Sequence, residues 1–397
     1  MSVMTTVQQI LSDQSLVPWI EERAFRFSMH RFVMAQRVQV FTDMTGWNVR
    51  KVSNYLRPKG AHLLEEGEEI PASRLERKRL AEIEPTEWGD RYPITNRRSS
   101  TDPEAVLSDT VEFLGYQMGR KREQLLFQAA LEAAELSGLK FVVDGEYSLE
   151  MPVEMQTYFE ANAFNGQIYH VIHPYQERDV KLELLKLSNP AVPEFRNRFI
   201  RQWSYGGFGG LNIAVSSMVP RKVTKRLVLT GAAVGDKFRL RFGLEDTNEI
   251  TIVEDSGSPD VTQLVADIKS ALEALDSVGD ATVTVTNDGG LDSILIEVDK
   301  YVDEEMQLTV GYEDGSEAVD VSGVFRIEEV SGKARAPFLQ PQAVVYDIRQ
   351  RLTVYQEWKP AYRTLDIGGY EVYGVGPWNY ERAAYIETDA TSPFAVA

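Results

Sequence analysis

A chain of 397 residues is long enough for two or three domains at roughly 150 residues each, and long enough to bury a large core. With no Cys it can have no disulfide framework, thiolate nucleophile or Cys-ligated metal, and four His leave little for acid–base or metal work. Hydrophobic residues at 43% and charged residues at 26% describe a chain that folds, and the net charge of −18 sits in one place. From Leu227 to Gly332 there are 6 basic residues (Lys237, Arg239, Arg241, Lys269, Lys300 and Arg326) against 24 acidic ones, a net of −18. The remainder holds 36 of each sign and nets zero. That block also lacks Trp, while Trp19, Trp47, Trp88, Trp203, Trp358 and Trp378 all lie outside it. Two compositions point to an inserted domain.

Residues Met1 to Asp13 show no basic segment followed by an apolar one, and no run of 18 apolar residues occurs anywhere. A soluble protein made in the cytoplasm, without a membrane partner, is expected. Val7 to Val40 reads as an arm plus a strand, interrupted at Pro18. Between Val52 and Asp90 the residues turn polar, through Glu65-Glu66-Gly67-Glu68-Glu69 and Arg74-Leu75-Glu76-Arg77-Lys78-Arg79. A two-stranded excursion of this composition would need a neighbour to lie on. Thr101-Asp102-Pro103-Glu104 is a helix start, with Thr101 as cap, Glu104 completing the capping box and Pro103 in the first turn. A long helix follows, its face traced by Val106, Thr110, Phe113, Leu114, Gln117, Lys121, Gln124, Leu125, Gln128 and Leu131, ending before Ser137-Gly138.

Phe141 to Val143 and Tyr169 to Ile172 read as short strands, the second leading into a helix at about Tyr175 to Leu187. Asn189 to Trp203 reads as loop and short helix, and Leu211 to Ser216 as a strand. In the acidic block, Lys237 to Phe242 and Glu249 to Val253 alternate as strands. Ser258-Pro259 opens a helix with Val261, Leu264, Val265, Ile268, Leu272 and Leu275 at helical spacing. Ala281 to Thr286 and Ser293 to Val298 are strands joined by the turn Asn287-Asp288-Gly289-Gly290, with more strand at Met306 to Tyr312 and Gly323 to Glu329. Ala343 to Tyr346, Arg349 to Glu357 and Tyr370 to Tyr373 close the series. The fold class is α+β, and the block has enough elements for its own core.

Chemical motifs are weak. Gly206-Gly207-Phe208-Gly209-Gly210 invites a phosphate-loop reading, but no Lys-Ser/Thr pair follows and the glycines lead into a strand; a close backbone approach or bulge fits better. His170-x-x-His173 sits in an extended segment, where residues three apart face opposite ways, so a metal site is not read there. Asp288, Asp292, Asp299, Asp303, Glu304 and Glu305 match no calcium-loop pattern and read as solvated surface. Arg74, Arg77, Lys78 and Arg79 form the densest basic cluster, and interleaved with Glu76 and Glu82 they read as an exposed segment that pairs with a neighbouring subunit. No nucleophile elbow or Ser/His/Asp set stands above chance, so no catalytic, cofactor or metal residue is assigned and no enzyme is expected.

The order of these segments resembles the major capsid protein of tailed bacteriophages, the Hong Kong phage-type (Johnson) fold. Glu87-Trp88-Gly89-Asp90-Arg91-Tyr92-Pro93-Ile94-Thr95-Asn96-Arg97-Arg98 is similar to the strand that returns from that family's extended loop, and Thr101 to Ala134 to its spine helix. Val171-Ile172-His173-Pro174, Pro193-Glu194-Phe195-Arg196-Asn197, Gly207-Phe208-Gly209-Gly210-Leu211-Asn212 and Glu371-Val372-Tyr373-Gly374-Val375-Gly376 are similar to axial and peripheral stretches of such proteins. The resemblance covers about Thr5 to Val223 and Gln340 to Thr391. It implies an amino-terminal arm and first strand (1–51), an extended loop (52–90), a spine helix and peripheral domain (91–150) and an axial domain (151–223). An acidic, mainly β insertion domain (224–336) and a return to the axial and peripheral domains (337–397) complete it. The implied function is self-assembly into the icosahedral capsid around phage double-stranded DNA, in a virion made in the bacterial cytoplasm.

The implied partners are the chain itself as hexamers and pentamers, a portal, DNA contacted non-specifically, and a decoration protein on the insert. Because the arm begins almost at Met1, a separate scaffolding protein is expected. Inter-subunit contacts are expected at Trp19, Lys59, Glu68, Glu69, Arg74, Arg77, Lys78 and Arg79. A lone Lys59 is no cross-linking motif, so covalent cross-linking is not carried over. The insert, repelled by DNA, is expected to face outward, bracing capsomers or receiving the decoration protein. Its stretch Phe238 to Thr286 is similar to a strand-helix-strand unit repeated in other phage and bacterial surface proteins. Two other classes remain: an adhesion or carbohydrate-binding surface protein acting through the insert, and a phosphate-ester hydrolase using the Gly-rich loop, which would lose turnover on Gly209→Val.

Overall fold

The computed structural model describes residues 32–55, 77–95, 103–162, 164, 166–186, 207–208, 211–242, 245–255, 258–302, 307–310, 324–359 and 364–393. In chain order the first strands are β1 (Gln39–Phe41), β2 (Arg50–Tyr55), β3 (Arg77–Ile83) and β4 (Thr86–Thr95), followed by a 35-residue helix, Pro103–Ser137. Next come β5 (Lys140–Val142), a helix at Glu150–Ala161, β6 (Ile168–Ile172), a helix at Pro174–Lys186, β7 (Gly207–Phe208), β8 (Leu211–Val215) and β9 (Arg221–Thr230). The acidic block adds β10 (Lys237–Phe242), β11 (Glu245–Asp246), β12 (Ile250–Thr251), β13 (Glu254–Asp255) and β14 (Ser258–Pro259). A helix at Val261–Glu273, then β15 (Val283–Asn287), β16 (Ile294–Val298) and β17 (Gln307–Val310), follow. The chain closes with β18 (Val324–Leu339), β19 (Val344–Lys359), β20 (Thr364–Pro377) and β21 (Ala383–Asp389). The class is α+β.

Two compact units result. The first comprises Met1–Leu139, Phe164–Tyr169 and Phe338–Ala384. Its four-stranded sheet has the order β1-β19-β20-β4, with β1 parallel to β19 and the other pairs antiparallel. The long helix packs on this sheet through Val111, Leu114 and Met118, which meet Ile94, Leu352, Val354, Leu365 and Ile367. Of the helix face predicted from the sequence, Thr110, Leu114 and Leu131 are buried. Phe113 is 59% exposed, and Lys121, Gln124 and Gln128 stay at least partly in solvent. The buried stripe keeps Leu114 and otherwise runs through Val111 and Met118 to Leu126, Phe127, Ala130, Ala133 and Ala134. Glutamine and lysine at helical spacing had drawn the predicted face round the helix by about one residue. The predicted cap at Thr101 lies outside the described residues.

The pair β19 and β20 is one long antiparallel ladder from Val344↔Pro377 to Lys359↔Thr364. The two strands read from the sequence at Ala343 to Tyr346 and Arg349 to Glu357 are therefore a single strand. Register shifts at Ile348/Gln350 and Gln350/Thr353 account for the apparent break. Among the described residues a second, separate sheet consists of β2 and β3, paired from Arg50↔Ile83 to Tyr55↔Arg77. These strands stand at the start of the polar segment Val52 to Asp90 and late in it; residues 56–76 lie outside the described residues.

The second unit comprises Lys140–Ala163, His170–Pro337 and Tyr385–Ala397. Its nine-stranded sheet follows β15-β16-β9-β18-β6-β8-β7, with β21 beside β18 and β5. Gly207-Phe208 pairs with Asn212 and Leu211, so this part of the Gly-rich stretch is one arm of a hairpin, not a bulge; Gly206, Gly209 and Gly210 lie outside the described residues. The loop and short helix read at Asn189 to Trp203 also lie outside them. Strand β21 went unread, and so did two further elements. The helix Glu150–Ala161 has no side-chain cap at Leu149 and a Pro in its first turn, and it is held by burial of Met151, Pro152, Met155 and Phe159. The other is β9.

β9 and β18 pair over ten residues of each strand, Val324↔Thr230 through Ala334↔Arg221, with a bulge between Glu329 and Ser331. The boundary expected near residue 224 therefore falls inside a strand. The acidic block builds its core on the far ends of these strands: Leu227 and Leu229 join Phe238, Leu240, Phe242, Ile250, Ile252, Leu264, Ile268, Leu272, Ile294 and Ile296. The helix there starts later than the sequence suggested. Ser258-Pro259 is strand β14, paired with Glu254-Asp255, and the cap is Asp260, whose carboxylate accepts the Gln263 amide at 3.0 Å.

Gly374 and Gly376 mark the tightest contact in the first unit. A Cβ at Gly374 would lie 2.7 Å from Ile83 Cγ2 and 2.8 Å from the Glu84 carbonyl oxygen, and one at Gly376 would lie 2.6 Å from Ile83 Cδ1. The end of β3 is thus seated in a notch that only glycine leaves open. Gly374→Ala is expected to cost about 1–3 kcal/mol, the usual penalty for overpacking, read as a lower urea midpoint at unchanged slope.

Candidate functional site

Three features of the first unit converge where the β2–β3 ribbon leaves the sheet. The first is an ionic clamp. Arg50, at the start of β2, is 9% exposed and ion-pairs through Nε with Asp347 Oδ2 at 3.0 Å; its Nη2 donates to Asp43 Oδ1 at 2.5 Å. Arg349 donates to the same Asp347 Oδ2 through Nε at 2.8 Å, with Nη2 2.6 Å away. The Arg50 guanidinium also lies 4.5 Å from the centre of the Phe41 ring. Asp347 is thus buried between two guanidiniums, while the hydrogen bond from Arg50 holds the exposed Asp43 carboxyl below the usual carboxylate range. Alternating charge on the otherwise apolar run Val344-Val345-Tyr346-Asp347-Ile348-Arg349 was the sequence signal for this clamp, and it went unread.

The second feature is the glycine notch that holds Ile83 at the end of β3. The third ties the ribbon's edges: Lys51 Nζ sits 2.8 Å from Glu82 Oε1, and Trp378 Nε1 donates to the Ser53 carbonyl at 3.4 Å. Beyond this root, among the described residues, β2 and β3 pair with no third strand.

Below the root lies a buried polar seam. Glu123 of the long helix, 1% exposed, accepts the backbone N–H groups of Val33 and Met34 at 2.8–3.0 Å. Its neighbour Arg122 lies 3.7 Å from Glu371 of β20 and hydrogen-bonds Tyr346. Burial pushes both the Glu123 and the Glu371 carboxyls up to about 7, against the Val33 and Met34 donors and the Arg122 charge.

In the second unit the roots of the acidic block are clamped independently. Arg221 at the start of β9 donates to Glu329 Oε1 at 2.5 Å and to the Ala390 carbonyl at 2.6 Å, with its guanidinium 4.7 Å from the Tyr175 ring centre. Lys225 lies 3.7 Å from the other Glu329 oxygen, and the Ser392 amide donates to Glu329 Oε1 at 2.7 Å. This set sits at the bulge of β18. His170 and His173 are both buried: His170 lies against the Tyr147 hydroxyl at 2.7 Å and the Pro337 carbonyl at 3.0 Å, and Tyr175 N donates to His173 Nδ1 at 3.2 Å. These partners are those of core histidines.

Of the contact residues expected from the sequence, Arg77, Lys78 and Arg79 stand on β3, with Arg77 opposite Tyr55 and Arg79 opposite Asn54. Trp19, Lys59, Glu68, Glu69 and Arg74 lie outside the described residues. Arg50, Glu123, Asp347, Arg349 and the Gly374/Gly376 notch were not anticipated.

No family model matches the chain, and no curated protein does. Among solved structures the chain is similar to the capsid of Ralstonia phage GP4, at 10% identity and a TM-score of 0.48, over 91% of this chain and 92% of that one. It is also similar to the acid-stable capsid of Helicobacter pylori bacteriophage KHP30, at 9% identity and a TM-score of 0.46, over 89% and 88%. The capsid of the cyanophage P-SCSP1u is a third, at 10% identity and 0.42, over 88% and 86%.

Arg50→Met is expected to loosen the ribbon alone. Amide exchange over residues 50–55 and 77–83 should speed up roughly five- to hundredfold, matching the loss of about 1–3 kcal/mol for a charged hydrogen bond, with the long helix unchanged. The seam predicts a pH effect. Glu123 and Glu371 bind more protons folded than unfolded between their ordinary 4.5 and about 7, so their stabilisation is complete below about pH 4.5 and lost as pH rises through about 7. His170 and His173, lowered by burial to about 4 and 3, act in the opposite sense below pH 6.5. The readout is therefore a difference: from pH 5 to 8 the wild type should lose about 3 kcal/mol or less per carboxyl relative to Glu123→Gln/Glu371→Gln, by urea unfolding.

Proposed function

We propose that the chain is a structural subunit that assembles with copies of itself into the closed icosahedral shell of a tailed bacteriophage, enclosing double-stranded DNA. The observation that carries this reading is the β2–β3 ribbon: clamped at its root by Arg50, Asp347 and the glycine notch, it has no third strand among the described residues. A two-stranded ribbon is marginal alone in water, so a chain that anchors one this firmly has a neighbour to lay it on. Closed symmetry multiplies that contact around each hexamer and pentamer. Arg77, Lys78 and Arg79 belong to this interface, together with Trp19, Lys59, Glu68, Glu69 and Arg74.

The remaining partners are a separate scaffolding protein, a portal, and DNA touched non-specifically by the near-neutral remainder of the chain. The acidic insert, whose net charge of −18 opposes DNA, projects outward and braces capsomers or receives a decoration protein. Its strands β9 and β18 favour bracing over a detachable adhesion module, because they run without a linker between the sheet and the insert core.

Co-expression with the scaffolding protein, followed by size-exclusion light scattering and electron microscopy, is expected to give capsomers or closed shells with the insert on the outside. A stable monomer under every condition would refute the shell reading, and insert density on the inner surface would refute its orientation.

A further inference from the structure

A pocket of about 190 Å³ opens in the first unit beside the ribbon root, lined by Glu84, Thr86 and Trp88, by Leu125, Gln128, Ala129 and Glu132 of the long helix, and by Tyr373, Val375 and Gly376 of β20. Small-molecule sites run to about 300–1,000 Å³, so this volume suits one large side chain rather than a cofactor. Its walls have a consistent chemistry. Two aromatic rings, Trp88 and Tyr373, stack with centroids 6.4 Å apart, and Leu125, Ala129 and Val375 add apolar wall. Glu84 and Glu132 are exposed carboxylates, and among the described residues neither has a cation within ion-pair distance. The Trp88 ring already receives one ammonium, that of Lys121, 4.7 Å from its centre. Apolar and aromatic walls with two exposed carboxylates fit a cationic group on an aliphatic stem, since the stem fills apolar space while the charge meets carboxylate and ring.

We propose that this pocket receives an arginine or lysine side chain from a second copy of the chain. The inference rests on the shell reading and names where on the neighbour the contact falls. The chain supplies both halves: β3 contains the uninterrupted basic run Arg77-Lys78-Arg79 on the ribbon that has no third strand among the described residues, and the pocket lies at the foot of that same ribbon. A head-to-tail contact between unlike patches of identical chains closes into a ring when the rotation allows, so each copy would give one basic run and take one.

The absence of native cysteine makes the test direct, because every thiol is an introduced one. Copies bearing Gln128→Cys and copies bearing Cys at position 77, 78 or 79 are co-assembled into shells and oxidised. Disulfide-linked dimers are expected only in mixed shells, and they should disappear when Glu84→Lys and Glu132→Lys are added to the Gln128→Cys copies. Shells that form without mixed disulfides at any of the three positions would overturn the pocket assignment and leave the shell reading standing; a chain that never forms shells overturns both. As a second measurement, Glu84→Gln/Glu132→Gln should lower shell yield at least tenfold with unchanged circular dichroism. Unchanged yield would overturn the assignment as well.

Discussion

A ribbon of two β-strands cannot bury its own faces, and that constraint orders much of what is built around it. The cost of holding such an element in one direction falls on its root, where the chain places its most demanding chemistry. There Asp347 is shared between Arg50 and Arg349, and Ile83 is pressed against a backbone stripped of side chains at Gly374 and Gly376. Buried ion pairs seldom stabilise a fold beyond what apolar residues would achieve. Their use here is directional: two guanidiniums converging on one oxygen fix the angle at which β2 departs, which packing of aliphatic side chains would define less sharply.

The long helix shows the same division of labour. One stripe, Val111, Leu114 and Met118, makes an ordinary apolar contact with the sheet. The next turns carry Arg122 and Glu123 into the interior, one toward β20 and one toward the backbone at Val33 and Met34. Carboxylates at these depths are strained toward neutrality, and they tie the start of the described chain to the middle of the helix. Mechanical linkage between distant parts of the sequence is thus entrusted to polar groups whose partners are specific, while the apolar core supplies cohesion.

Local pattern was enough to read the long helix, β10, β15, β16 and the insert helix, because each has periodicity, a turn signal or a strong start within its own few residues. It was not enough where the deciding partner is far away in sequence. β19 read as two strands because its bulges interrupt the alternation, although β20 continues the ladder past them. The helix at Glu150–Ala161 has no capping residue and is held by tertiary burial. Phe113 was assigned to the core on its apolarity and stands in solvent. The ribbon root was the least visible part, since a glycine pair and an Arg/Asp alternation mean nothing until Ile83 and Arg50 arrive beside them from some 300 residues earlier.

The passage of β9 and β18 straight from the nine-stranded sheet into the core of the acidic block bears on how a segment placed there can lengthen. An insert joined by two flexible tethers must fold as a finished module from its first appearance. One raised on the end of a paired hairpin can lengthen by a residue pair at a time, since each intermediate leaves a closed turn and a satisfied ladder. The Arg221–Glu329 clamp at the bulge works as a collar, tying β9 to β18 where the ladder shifts register.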